Sequence, residues 1–142
     1  MLKVKCPFKQ CNCSIISYNE KENQPINLPL SVYDDYKLLL KNKDTKATGK
    51  FLIVGNIWDF DNIGVSKTLS FFENKDDNMS KLEFVNPIDN KRYNITQIFK
   101  YLICSDCEKG PLGIICKAKL LNDENSTVIE LNLLSLDSID LC

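Results

Sequence analysis

The chain has 142 residues, a formal net charge of -1 and no histidine. That length suits one ordinary domain with a real core, and charges that nearly cancel exclude a global field drawing it to nucleic acid or anionic membrane. The lack of histidine excludes His-based catalysis, Cys-His dyads and mixed Cys/His metal sites. No charged-then-apolar leader stands ahead of a small-residue cleavage site, and no apolar run reaches the roughly 18 residues of a membrane span. A cytoplasmic setting is therefore expected. Seven cysteines, an odd number without a secretory leader, favour metal ligation over a disulfide framework. Fifteen asparagines, mostly between apolar runs, read as turns and polar surface.

In chain order, residues 2–18 hold Cys6, Cys11 and Cys13, with Ser14-Ile15-Ile16 as a strand leaving them. Four residues separate Cys6 from Cys11, within the range that structural zinc sites use. Residues 19–30 are a loop with two prolines. Ser31 is a reasonable N-cap, and Val32, Tyr36, Leu39 and Leu40 form a stripe at helical spacing, so a short helix is expected over 32–41. Residues 41–50 read as a polar loop. Phe51 to Val54 is a continuous apolar run and predicts a strand.

Asn56 to Lys67 contains the only tryptophan. In extended backbone Asp59 and Asp61 would share one face, with Trp58, Phe60 and Asn62 on the other. The pattern favours Trp58 and Phe60 as core anchors over exposed interface anchors. The two aspartates lack a further ligand or nucleophile motif that would make an acid/base or hard-cation site. Residues 68–81 suggest a break in a sheet, with a second polar loop near 73–81. Leu82 to Val85 restarts a strand, and Asp89-Asn90-Lys91-Arg92 resembles a hairpin turn. Tyr93, Ile95 and Gln97 enter the next strand or crossover.

Tyr101-Leu102-Ile103 delivers the chain to Cys104-Ser105-Asp106-Cys107, and Gly110-Pro111-Leu112-Gly113 leads out. Such a strand–knuckle–strand presents two thiolates from one arc. Pairing the ends gives Cys6, Cys11, Cys104 and Cys107 as ligands of one structural zinc, with Cys13 an alternative to Cys11 or Cys6. Leu112 to Leu120, a hairpin loop over 121–127 and a strand from Val128 to Leu136 complete the chain, and Cys142 reads as an incidental thiol. Short strands, one modest helix and turns between them predict a mostly β domain over 1–142, clamped at one end by metal.

Two blocks carry a family resemblance. Trp58-Asp59-Phe60-Asp61-Asn62-Ile63-Gly64-Val65-Ser66-Lys67 resembles the aromatic/acidic–x–Asn–x–Gly–x–Ser/Thr–Lys block of the RABIF family, the suppressors of Sec-four. Tyr101 to Cys116 resembles that family's strand, Cys-x-Asp-Cys knuckle and Gly-Pro-x-Gly exit. The first pair here is Cys-x4-Cys, where the mammalian form has Cys-x-x-Cys, and it looks more like the fungal branch.

The resemblance implies a small β-rich "tent" with one zinc on the four cysteines named above. It implies a monomer that binds Rab GTPases of secretory traffic and exocytosis. Nucleotide-free Rab would be preferred, with slow promotion of GDP release or a chaperone role, and peripheral membrane presence would come through Rab. Trp58, Asp59, Phe60, Asp61 and Asn62 would belong to the Rab-binding face, with Asp106 and Glu108 as a polar rim. No bond chemistry is implied. The competing readings are a structural zinc protein with an unrelated partner, a methionine-sulfoxide-reductase-like enzyme using Cys116 or Cys142, and a nucleic-acid-binding zinc ribbon. Nothing near Cys116 or Cys142 forms an evident base, and Lys117 and Lys119 are too few for a basic stripe.

Overall fold

The computed structural model describes residues 2–8, 10–11, 13–19, 24–29, 33, 38, 48–66, 82–87, 89–107, 111–122, 124–125 and 127–141. The expected loop at 73–81, the sheet break over 68–81, Lys67, Glu108, Gly110 and Cys142 lie outside these residues. So do most of the expected helix at 32–41 and most of the loop at 41–50.

The fold is mostly β, as the sequence implied. Among the described residues ten strands run β1 (Leu2–Lys5), β2 (Ser14–Tyr18), β3 (Ile26–Asn27), β4 (Lys50–Val54), β5 (Ile63–Val65), β6 (Glu83–Asn86), β7 (Lys91–Cys104), β8 (Gly113–Leu120), β9 (Val128–Ser135) and β10 (Asp140–Leu141). They form a three-stranded sheet, β10-β1-β2, and a seven-stranded sheet, β3-β4-β9-β8-β7-β5, in which β6 also pairs with β7. β1 lies between β2 and β10, so the two ends of the chain share a sheet. Among the described residues two 3-10 turns, Ile57–Asp59 and Leu136–Ser138, join strands.

Successive residues of a strand face opposite sides, so continuous apolar runs mean burial on both. Phe51 on β4, Ile114 and Cys116 on β8, and Leu131 and Leu133 on β9 pack into one core cluster. Their neighbours Leu52, Ile115 and Leu134 pack into a second, with Val4, Cys6, Ile15 and Ile16 of the small sheet. The second cluster is therefore the layer between the two sheets, and it carries Cys6 and Cys104, with Cys11, Cys13 and Cys107 packed against it. Two hairpins form near the expected places, but the first turn lies before Lys91, so Lys91 and Arg92 of the expected turn already belong to β7. Asn86 pairs with Lys91 across the turn holding Asn90 at φ 58°, and Asn122 sits at φ 59° between β8 and β9. Asparagine tolerates this left-handed backbone better than most residues.

Tyr33 and Leu38 are described, and both are buried in the first cluster. Tyr33 stacks on Phe51 at 5.8 Å, and its hydroxyl donates to an Asp137 carboxylate oxygen at 2.6 Å. The same carboxylate accepts from the Thr48 N–H at 3.0 Å, the Thr48 hydroxyl at 3.0 Å and the Gly49 N–H at 3.1 Å. One side chain thus ties the entry of β4 to the turn after β9. Asp137→Ala is expected to cost about 2–3 kcal/mol, since hydrogen bonds to a charged group are the stronger kind. Urea unfolding measures it, and a change under about 0.5 kcal/mol would remove Asp137 from this role.

Candidate metal centre and the aromatic block beside it

Two turns bring thiols together from opposite ends of the chain. After β1 the chain turns through Cys6 to Cys13, and the Cys6 N–H donates to the Cys13 carbonyl at 2.9 Å, closing the loop. Inside it the Cys11 N–H donates to the Phe8 carbonyl at 3.0 Å. The second turn caps β7 at Cys104. The sulfurs of Cys6, Cys11, Cys104 and Cys107 all lie within 4.8 Å of one another. Cys6 to Cys107 is 3.7 Å and Cys11 to Cys104 is 3.6 Å. A tetrahedron with metal–sulfur bonds of about 2.3 Å has edges of about 3.8 Å, so the donor set fits a four-coordinate ion. The four ligands proposed from spacing are thus one cluster that could hold a metal ion.

Cys13 is a fifth thiol at the same place. Its sulfur is 3.2 Å from that of Cys104, and it groups with Cys11 and Asp106 within 4.8 Å.

Burial acts to raise the thiol pKa at Cys6, Cys13 and Cys104. At Cys104 it is outweighed by the Cys107 N–H, the Cys13 thiol, the Asp106 N–H and the Cys11 thiol, which favour the thiolate and bring it down to about 7. Those amide donors belong to the Cys-x-x-Cys turn itself, so the turn makes its first cysteine ready to ligate. Cys6 is pushed up to about 12, by burial first and then by its neighbouring thiols against the Phe8 backbone. Cys13 is also pushed up, chiefly by burial and by Cys104. Cys116 is different. It is wholly buried in the other core cluster, and burial followed by Glu130 pushes its thiol up. It is a core side chain, unsuited to nucleophilic attack.

The Trp58 block hangs between the two turns. Asn56 caps the 3-10 turn, its Oδ1 accepting from the Trp58 N–H at 3.0 Å. This turn replaces the extended backbone assumed from alternation, so the two expected faces do not form. Trp58 is 86% exposed, whereas Phe60 is 8% exposed and packs in the layer with the cysteines. The expectation of core holds for Phe60 and is corrected for Trp58: the capped turn aims its indole outward. Asp59 is exposed.

Asp61 and Asn62 are tied to the strand leaving the first cysteine turn. The Asp61 N–H donates to the Ile15 carbonyl at 2.7 Å, and its carboxylate accepts from the Ser14 hydroxyl at 2.8 Å. The Asn62 amide donates to the Ser14 carbonyl at 2.8 Å. β5 follows at once and pairs Ile63 with Cys104. The block is therefore stitched to the residue after Cys13 on one side and to a metal-site cysteine on the other. Asp106 is exposed at the second turn. A groove of about 420 Å³ opens beside the block, lined by Gly55, Asn56, Ile57, Val65, Lys100 and Glu130, among others. Charge and motif reading did not single out Lys100 and Glu130, because only the pairing of β7, β8 and β9 places them beside Asn56. Among the described residues no helix is long and apolar enough to cross a membrane.

These features define an antiparallel β domain with a four-cysteine cluster that could hold a metal ion and an aromatic turn braced beside it. Comparison with known proteins gives the family. The description "Mss4 protein" matches residues 1–134, and the chain belongs to that family. It is similar to the protein DSS4 of Saccharomyces cerevisiae, with 39% identity over 146 residues covering 99% of this chain and 97% of the relative. The RABIF-type resemblance read from the two blocks is thereby borne out. No solved structure matches the chain.

Proposed function

We propose that this chain is a Rab-associated factor that binds a secretory Rab GTPase in preference when its nucleotide site is empty, and so promotes GDP release or shelters the empty GTPase. The observation that carries the reading is the exposed Trp58 on a capped turn, in a chain of the Mss4 family. A large aromatic ring held outward on a fixed backbone is the usual kind of interface anchor. Asp59, Asp61 and Asp106 are exposed acidic groups of the predicted set, suited to basic side chains or backbone donors uncovered when a phosphate site opens. Phe60 and Asn62 support this face from beneath, through the cysteine layer and the Ser14 carbonyl, and the exposed Asp61 carboxylate accepts from the Ser14 hydroxyl.

No bond chemistry is required. Tighter binding to empty than to loaded Rab shifts the GTPase toward the empty state and, by linkage, weakens its hold on GDP. The ion is zinc in this reading, because four thiolates at tetrahedral spacing suit a closed structural zinc site. The chain works as one cytoplasmic domain, a monomer alone and a heterodimer with Rab, and reaches secretory membranes only through its partner.

GDP release from a secretory Rab, followed over a titration of this protein, is expected to accelerate. Capture should be strongest for nucleotide-free Rab. Trp58→Ala should weaken that capture by about 2 kcal/mol, roughly thirty-fold, with the metal retained. Unchanged release together with equal affinity for empty and GDP-loaded Rab would end the proposal.

A further inference from the structure

The cluster has five thiols for a four-coordinate ion, and the fifth is placed to serve. We infer that Cys11 and Cys13 share one coordination position: Cys6, Cys104 and Cys107 hold the metal with either of them. This rests on the reading of the cluster as a metal site.

The geometry favours exchange over a spectator role for Cys13. The Cys13–Cys104 sulfur separation, 3.2 Å, is shorter than the 3.6 and 3.7 Å separations found within the four-thiol set. Cys13 also lies within 4.8 Å of Cys11. It therefore borders the Cys11–Cys104 edge of the tetrahedron, where one sulfur can replace another by a small movement. The two cysteines are held differently. Cys13 stands at the base of the loop, where its carbonyl accepts from the Cys6 N–H and β2 begins at the next residue. Cys11 rides on the turn above, held by the Phe8 carbonyl. Three positions are thus fixed by the two turns and the fourth has two candidates.

The exchange balances without redox. The bond from metal to the Cys11 sulfur breaks as the bond to Cys13 forms. The Cys13 thiol gives up its proton and the Cys11 thiolate takes one up, so the charge of the centre is unchanged. The consequence is a site that loses either thiol to oxidation or alkylation and keeps its ion.

Metal content by elemental analysis and cobalt(II) titration of the full chain test this. Wild type, Cys11→Ser and Cys13→Ser should each take up about one ion per chain and show four-thiolate charge-transfer absorption. The double variant should lose that absorption. A Cys11→Ser protein that binds as poorly as the double variant would overturn the sharing. Wild type that takes up no metal would instead overturn the metal reading beneath it.

Alkylation of the metal-loaded wild type gives a test free of any substitution. Label mapped to both Cys11 and Cys13 supports exchange, and label at Cys13 alone defeats it.

Discussion

Cys104→Ser is expected to abolish stoichiometric metal and, with it, the cooperative fold of the cysteine layer. Cys104 is fully buried and its sulfur lies beside both Cys11 and Cys13. The turn amides also bring its thiol down to about 7, against burial. A serine keeps the shape and removes the soft, ionisable donor. Structural zinc contributes about 10–16 kcal/mol of apparent binding energy in small domains, comparable with the net stability of about 5–15 kcal/mol that a whole domain has. Loss of the ion therefore leaves little surplus. The aromatic block should loosen too, because β5 pairs through Cys104 and Asp61 is bonded to Ser14. Elemental analysis and chemical unfolding followed by circular dichroism read both effects. Cys116→Ser is the control, since Cys116 is as buried but belongs to the other cluster. A Cys104→Ser protein with about one ion per chain and a wild-type unfolding midpoint would refute the clamp.

Gly113→Ala should be the most damaging change outside the cysteines. Gly113 sits at the start of β8, paired with Leu102 on β7 and Leu134 on β9. A Cβ there would overlap the Leu133 carbonyl oxygen and lie 3.0 Å from both the Leu134 Cα and the Leu102 Cδ1. Two of those atoms are backbone in the middle of a sheet and cannot swing aside. Relief requires β8 and β9 to part, which costs the ladder beside the second cysteine turn. The Leu112 N–H donates to the Leu102 carbonyl at 2.7 Å there, and the Ser135 N–H to the Leu112 carbonyl at 2.9 Å. Overpacking usually costs 1–3 kcal/mol, and a backbone clash belongs at about 3 kcal/mol or above. The denaturation midpoint of the metal-loaded protein measures it. A shift worth less than about 0.5 kcal/mol would show that the sheet yields more easily than its pairing implies.

The Gly-Pro-x-Gly exit was legible as a motif, but its reason was not. Gly113 is needed for the close approach of β9, a strand some twenty residues further on, and sequence patterns carry no such distance. β4 and β9 were legible to within a residue, as Phe51–Val54 and Val128–Leu136, because β-branched and leucine-rich runs bounded by turns seldom fit anything else. β7 was read as two pieces. Its residues facing the first core are Tyr93, Ile95, Ile98 and Tyr101, spaced two, three and three apart. Register shifts at Ile95/Gln97 and Ile98/Lys100 produce that spacing, so strict alternation fails along an unbroken 14-residue strand. β1, β3, β5 and β10 were too short to announce themselves, and partners from the other end of the chain create two of them. The four-cysteine cluster was legible because thiols paired at close spacing at two places in a chain without histidine have few uses other than ligation. The exposure of Trp58 was hidden, because an outward tryptophan and a core tryptophan look alike until the backbone around Asn56 is known.

The shared sheet of the two chain ends has a consequence for birth on the ribosome. Cys6 and Cys107 are 101 positions apart, and β1 meets β10 only when residues 140 and 141 have been made. At about 5–20 residues per second, the early thiols wait roughly 5–20 s for their later partners. Throughout that interval they are uncommitted, and any ion they catch is held by half a site. The four-thiol cluster therefore closes only after Cys107 has been made.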